Sequence, residues 1–260
     1  MRIHGVTALS THHHMLLSPE EPDQLARFMH YVQTNVAKEA GDLHDWEGPF
    51  WARRYRHIPV SDEDEAQIRR LRYILEQSVK ENLVARPTDW PGIHCARALL
   101  EGELMQGIWY DRTAFGEARR RGERVALEDF AEQEVVTLST LPCWQGLSPE
   151  EIRERIAYLL ESIERQHAER RQAEGKGVLG AKAVCRRHPH SRPKKLKRSP
   201  APRFHAATKE ARRALADAYR DFITAFREAA ELLRLGRDDP DFPPGSFPPS
   251  MPYVPHQAPG

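Results

Sequence analysis

Cysteine is scarce in this chain. Three thiols, Cys95, Cys143 and Cys185, are scattered over 260 residues with no CxxC spacing. An odd, dispersed set argues for reduced thiols in the cytoplasm and against a zinc ribbon. Long apolar runs are absent too, so no segment reads as a membrane span, and the opening residues lack the pattern of a signal peptide. No internal repeat is visible. Net charge is almost nil: 39 Lys and Arg against 38 Asp and Glu give +1.

The distribution of charge is informative where the total is not. Residues 175–209 hold eleven Lys or Arg and no Asp or Glu, which leaves the rest of the chain about ten net negative. Such an asymmetry points to a polyanionic partner docked at one place. With 40% hydrophobic and 30% charged residues, the chain suffices for one substantial domain with appendages, or two small ones.

The stretch Thr11-His12-His13-His14-Met15-Leu16-Leu17 follows Val6-Thr7-Ala8-Leu9 and reads as strand. Residues 1–17 are expected to form one strand, or two joined by a tight turn at Gly5. Side chains alternate along a strand, so His12 and His14 share a face and His13 takes the other. Two neutral imidazoles on one face suit a divalent metal. From the run alone, a histidine tract without a ligand fits equally well.

Ser18-Pro19-Glu20-Glu21 reads as a helix start, with Ser18 as N-cap and the helix running to about Glu39 before Gly41. Phe50-Trp51-Ala52-Arg53-Arg54-Tyr55 reads as a strand with Trp51, Arg53 and Tyr55 on one face. Rings that stack on bases, beside guanidinium groups that pair with phosphates, suit single-stranded nucleic acid. An edge strand with a solvated basic face is the plainer alternative. Ser61-Asp62-Glu63-Asp64 opens the next helix. Ile68, Leu71, Leu75 and Val79 form its apolar stripe, and Tyr73 and Gln77 fall opposite.

Residues 93–140 are less decided: a short helix over Ala96–Leu104, a brief strand or turn at Ile108–Tyr110, a basic helix over Phe115–Arg121, and a segment 127–138 open between helix and strand. Ser148-Pro149-Glu150-Glu151 caps an amphipathic helix to about Gln172. The basic stretch that follows carries Arg186, Arg187, Lys194, Lys195, Lys197 and Arg198. It reads as an extended arm ordered on a partner, or as a solvated linker. Thr208 caps a last helix closed by Gly236. Eight prolines in the final 23 residues predict a disordered or polyproline-like tail.

Four motifs in order (Thr11–Leu17, Phe50–Tyr55, Arg72-Tyr73-Ile74-Leu75-Glu76-Gln77, and Asp89-Trp90-Pro91-Gly92) resemble the REP-associated tyrosine transposases of the HUH single-tyrosine superfamily. The resemblance runs from about Val6 to Gly92. It implies an α+β fold: a ferredoxin-like HUH domain with an antiparallel sheet and packed helices, followed by a mostly helical extension. The family's strand and helix ahead of the histidine pair have no counterpart here, so a partial domain is expected. By the resemblance, Tyr73 is the nucleophile and His12, His14 and Gln77 hold Mg²⁺ or Mn²⁺. His13 stands where the family has an apolar or aromatic residue, and Gln77-Ser78 stands for its common Asn-Pro.

The implied activity is cleavage and rejoining of single-stranded DNA at hairpin-flanked sites through a 5′-phosphotyrosine. The contacts to DNA are expected from Trp51, Arg53, Arg54, Tyr55 and the basic arm. A DNA-binding protein without nuclease activity, truncated or domesticated, is the alternative. The expected organisation is a transposase-like domain over 1–95, a helical accessory region over 96–174, a basic arm over 175–207, a helix over 208–236 and a tail over 237–260. A cytoplasmic, nucleoid-associated location, a possible homodimer and no membrane partner complete the expectation.

Overall fold

The computed structural model describes residues 1–188, 191, 202–237 and 239–249. Their regular elements, in chain order, are β1 (Arg2–Leu9), β2 (His12–Ser18), α1 (Pro22–His44), α2 (Asp64–Lys80), α3 (Ala96–Glu101), β3 (Met105–Tyr110), α4 (Arg112–Arg120), β4 (Ala131–Val136), α5 (Pro149–Ala173), α6 (Ala181–Cys185) and α7 (Lys209–Arg234). The protein is a mixed α+β chain, with two antiparallel two-stranded sheets among the described residues. It divides into two compact units. One holds residue 1, residues 19–66 and the chain from 198 onward. The other holds residues 2–18 and 67–197.

The second unit is built on the β1–β2 hairpin. Thr7 pairs with His14, Ala8 with His13 and Leu9 with His12, so the turn is Ser10-Thr11. The expected turn at Gly5 is corrected: Gly5 lies at a shift in register, not a reversal. A side chain there would meet Leu71 Cδ1 at 3.1 Å and Cys95 Sγ at 3.5 Å, so glycine lets α2 approach the strand closely. The other edge of β1 is met by residues 93–95. Ala8 N–H donates to the Ile93 carbonyl at 2.9 Å, and Cys95 N–H donates to the Val6 carbonyl at 2.9 Å. Trp90 Nε1 adds a bond to the Ala8 carbonyl at 3.0 Å.

Helix α2 carries acids in its first turn, where the dipole favours them, and its stripe is buried as the periodicity predicts. Leu71, Leu75 and Val79 are essentially inaccessible. They join Val6 and Trp90 and the buried face of α5, Ile156, Leu159, Leu160 and Ile163, in one core. Each such side chain contributes roughly 1.5–3 kcal/mol by leaving water. The predicted start of α5 holds in detail: Ser148 and Glu151 cap each other reciprocally, each accepting the other's backbone N–H.

Along the α2–α5 contact runs a polar seam. Arg72 donates to Ser162 and Gln166, His167 meets Glu76 at 3.4 Å, and Arg170 donates to the Lys80 carbonyl at 2.7 Å. Partners rise together in number on both helices, so α2 and α5 run side by side in the same direction. The Arg170 guanidinium also reaches Asn82 Oδ1 at 3.0 Å and so closes the C-terminal end of α2, where Asn82 turns left-handed at φ 55°.

Part of the basic stretch belongs to this unit. Leu179 and Gly180 donate to the Asn82 and Leu83 carbonyls at 2.9 and 2.8 Å, and Ala181 and Val184 of α6 touch the core. Residues 179–185 are therefore not an extended arm, because apolar side chains there anchor them. The ambiguous segment 127–138 resolves as a short 3₁₀ turn, Leu127–Phe130, and the strand β4, which pairs with β3.

In the first unit, α1 starts at Pro22 with Glu21 as its cap and runs on through Gly41 to His44. Ser18 is not its N-cap. It ends β2, and its hydroxyl donates to His4 Nε2 at 2.9 Å while His4 Nδ1–H donates to the Ser139 carbonyl at 3.1 Å. Residues 50–59 form no strand, which corrects the expected basic strand; only Val60 makes a bridge, to His205. Glu63 accepts from Ser61 Oγ and from the Ala207 and Thr208 N–H groups, which pins the start of α7, and these bonds pull its carboxyl down to about 2. Thr208 caps α7 as expected. Residues 239–249 of the predicted tail are held by specific contacts: Phe242 meets Phe226, and Gly245 N–H donates to Asp23 at 2.9 Å.

Candidate functional site

The site lies in the second unit, where β2 faces α2. Strand alternation brings His12 and His14 to the same side, with ring centres 5.0 Å apart and nearly perpendicular. His14 then meets Tyr73 edge to face, centre to centre 5.2 Å at 75°. Gln77, one turn on from Tyr73, is 4% exposed. Its amide N–H donates to the Tyr73 carbonyl at 2.8 Å, and the same side chain is close enough to His12 to act on its protonation. The hairpin and the helix thus bring together the four residues His12, His14, Tyr73 and Gln77. The apolar stripe of α2 makes this possible: with Leu71, Leu75 and Val79 turned inward, positions 73 and 77 are presented to β2.

Burial keeps all three imidazoles below their ordinary pKa, and His14 falls to about 4, helped by His12, His13 and Lys80. Glu81 and Gln77 pull His12 the other way without reversing it. At neutral pH the rings are uncharged and offer lone pairs. Among the described residues no group of three or more His, Cys, Asp or Glu is arranged to hold a metal ion. The donors on hand are two imidazoles and one amide oxygen, a set with no charge of its own.

Sequence reasoning passed over four residues around this cluster. Arg70 and Lys80 approach the Tyr73 ring, the guanidinium carbon at 5.1 Å and the ammonium at 4.8 Å from its centre. Glu76 bridges Lys80 Nζ at 3.6 Å and His167 Nε2 at 3.4 Å. Helical spacing from Tyr73, three back and seven on, was the available signal for the two cations. His167 comes from α5, and no local pattern announces it.

The nucleic-acid candidates are not all in one place. Trp51, Arg53, Arg54 and Tyr55 belong to the first unit. Trp51 Nε1 donates to the Gln33 carbonyl at 2.8 Å, and its ring meets Phe50 at 4.9 Å. Phe50 in turn meets Trp46 at 5.5 Å, and these rings and α1 line a cleft that includes His30 and Lys38. Tyr55 meets Phe247 at 6.3 Å, and the Arg54 guanidinium lies 4.0 Å above the same ring. Burial raises the Tyr55 phenol. Arg53 is exposed. Arg186 and Arg187 follow α6 and are exposed; Lys194, Lys195, Lys197 and Arg198 lie outside the described residues.

No family model, curated protein or solved structure matches the chain. Among the described residues, no helix is long and apolar enough to cross a membrane.

Proposed function

We propose that the protein is a metal-dependent single-strand DNA endonuclease and strand transferase of the REP-associated tyrosine transposase kind, with a ferredoxin-like HUH domain. One observation carries the reading: the ring of Tyr73 lies 5.2 Å from that of His14, which is itself paired with His12. A phenol beside two neutral imidazoles and an amide is the residue set that such chemistry needs.

His12, His14 and Gln77 are the residues that would hold Mg²⁺ or Mn²⁺. Bound there, the ion supplies Lewis-acid polarisation of a phosphate, and a ligand set without charge leaves its positive charge for that anion. The chain's own contribution is nucleophilic. The Tyr73 oxygen attacks phosphorus and its proton leaves to solvent. The bond to the 3′ oxygen breaks, and that oxygen takes up a proton, giving a 5′-phosphotyrosine and a free 3′-OH. The link keeps the phosphodiester energy, so rejoining requires no nucleotide cofactor. The exposed Arg186 and Arg187, and the basic residues after them in sequence, are the proposed backbone contacts.

The test is incubation of the full chain with single-stranded hairpin DNA and Mn²⁺. A denaturant-resistant adduct is expected, and Tyr73→Phe should abolish it. An adduct that persists in that variant overturns the assignment. The second reading, a DNA-binding protein without nuclease activity, is favoured by the donor set holding no carboxylate and by the Gln77 amide N–H being tied to the Tyr73 carbonyl of its own helix. It predicts hairpin binding with no adduct in any metal.

A further inference from the structure

Two cations converge on one phenol. Arg70 reaches Tyr73 from the preceding turn of α2, and Lys80 from two turns beyond. Attraction to a ring face accounts for one cation at such a position. A second adds repulsion between like charges that the ring does not relieve. Glu76 meets Lys80 at 3.6 Å and the buried His167 at 3.4 Å, and its charge also acts on Arg70. That arrangement holds the lysine stem against α5, with Arg170 gripping the Lys80 carbonyl at 2.7 Å. The backbone of Lys80 is held by Arg170 and its ammonium by Glu76, and the side chain keeps 39% of its surface in solvent, within reach of a ligand.

We infer that Arg70 and Lys80 form a phosphate clamp around Tyr73, receiving the non-bridging oxygens of a phosphodiester in single-stranded DNA beside the phenolic oxygen. Glu76, braced by His167, is the positioning residue that sets where Lys80 stands. This rests on the function proposed above for Tyr73, and it adds what that function otherwise lacks: a means of seating the anion before attack. An ammonium and a guanidinium hold a phosphate by charge and by directed N–H donors, and both strengthen as negative charge develops on the oxygens.

The experiment uses the full chain in four forms: wild type, Lys80→Met, Lys80→Arg and Arg70→Met. Binding of a single-stranded hairpin DNA is measured against salt concentration in chelator, and adduct yield is measured with Mn²⁺. Loss of one phosphate contact should lower the slope of log affinity on log salt by about 0.7. Lys80→Met and Arg70→Met should each show that fall and lose at least about tenfold in adduct rate, with an unchanged melting midpoint. Lys80→Arg should keep both within about threefold, since its charge remains. Unchanged slopes in both Met variants overturn the clamp, as does Lys80→Arg behaving like Lys80→Met. A slope that falls while the adduct rate stands overturns the placement beside Tyr73. If wild type forms no adduct, the proposed function fails, and the slopes alone decide the clamp: a fall supports it and no change rejects it.

Discussion

His14 on β2 and Tyr73 on α2 stand edge to face with ring centres 5.2 Å apart, although 59 positions separate them in sequence. The contact joins the hairpin to the helix and puts a phenol beside a paired imidazole. It also makes the metal question accessible without any DNA. Mn²⁺ should raise the melting midpoint of the wild-type chain near pH 7.5, since a ligand bound only by the folded state stabilises it. In the His12→Ala, His14→Ala double variant that rise should vanish. An equal rise in both proteins would remove the two histidines from metal binding.

Stability should fall in mild acid. His94 is half-buried, its Nδ1 accepts from the Ala96 N–H at 3.1 Å, and desolvation drives its pKa from 6.5 to about 4. Between those values the unfolded chain holds a proton that the folded chain refuses. The stabilisation is therefore complete above pH 6.5 and is lost as pH drops towards 4. His4, likewise lowered by burial, acts in the same direction. Melting curves from pH 7 to 4.5 should shift downward, and less so in His94→Gln. A flat profile would contradict the assignment.

Gly5 permits the close approach of β1 and α2. A valine there should destabilise the fold by about 1–3 kcal/mol, because Leu71 Cδ1 sits 3.1 Å from where its Cβ must go. Chemical denaturation reads this directly, and a loss below about 0.5 kcal/mol would mean that the Leu71 side chain steps aside.

Ser148→Ala removes the hydroxyl that accepts the Glu151 N–H at 3.2 Å and should reduce stability by about 1 kcal/mol. Ser148→Asp should restore most of it. Equal stability of all three proteins would show that the cap contributes nothing.

What was legible in the sequence is what depends on near neighbours. The stripe Leu71, Leu75, Val79 repeats within one helix, Ser148 and Glu151 are three apart, and Thr208 caps the helix that follows it. The placement of Tyr73 and Gln77 opposite that stripe follows from the same periodicity. The hairpin was less readable, because its turn is Ser10-Thr11, without the Gly or Asn that usually marks such a reversal. Ser18 has the sequence context of a helix cap, but its hydroxyl is used by His4, a contact that local sequence does not encode. The aromatic segment after Phe50 has strand composition, but its rings find partners at Gln33 and Phe247, and alternation cannot anticipate distant contacts of that kind. His167 reaches the site across 91 residues for the same reason.

Tyr73 shares its helix with Leu71, Leu75 and Val79, which are among the most deeply buried side chains of the second unit. Rolling or sliding α2 would drag Leu71, Leu75 and Val79 out of close contact and break the seam to α5. The phenol is in effect bolted to a beam, and its reach is limited to turning about its own side-chain bonds. If Tyr73 reacts as proposed, whatever rearrangement brings a phosphate to it has to be made by the incoming strand.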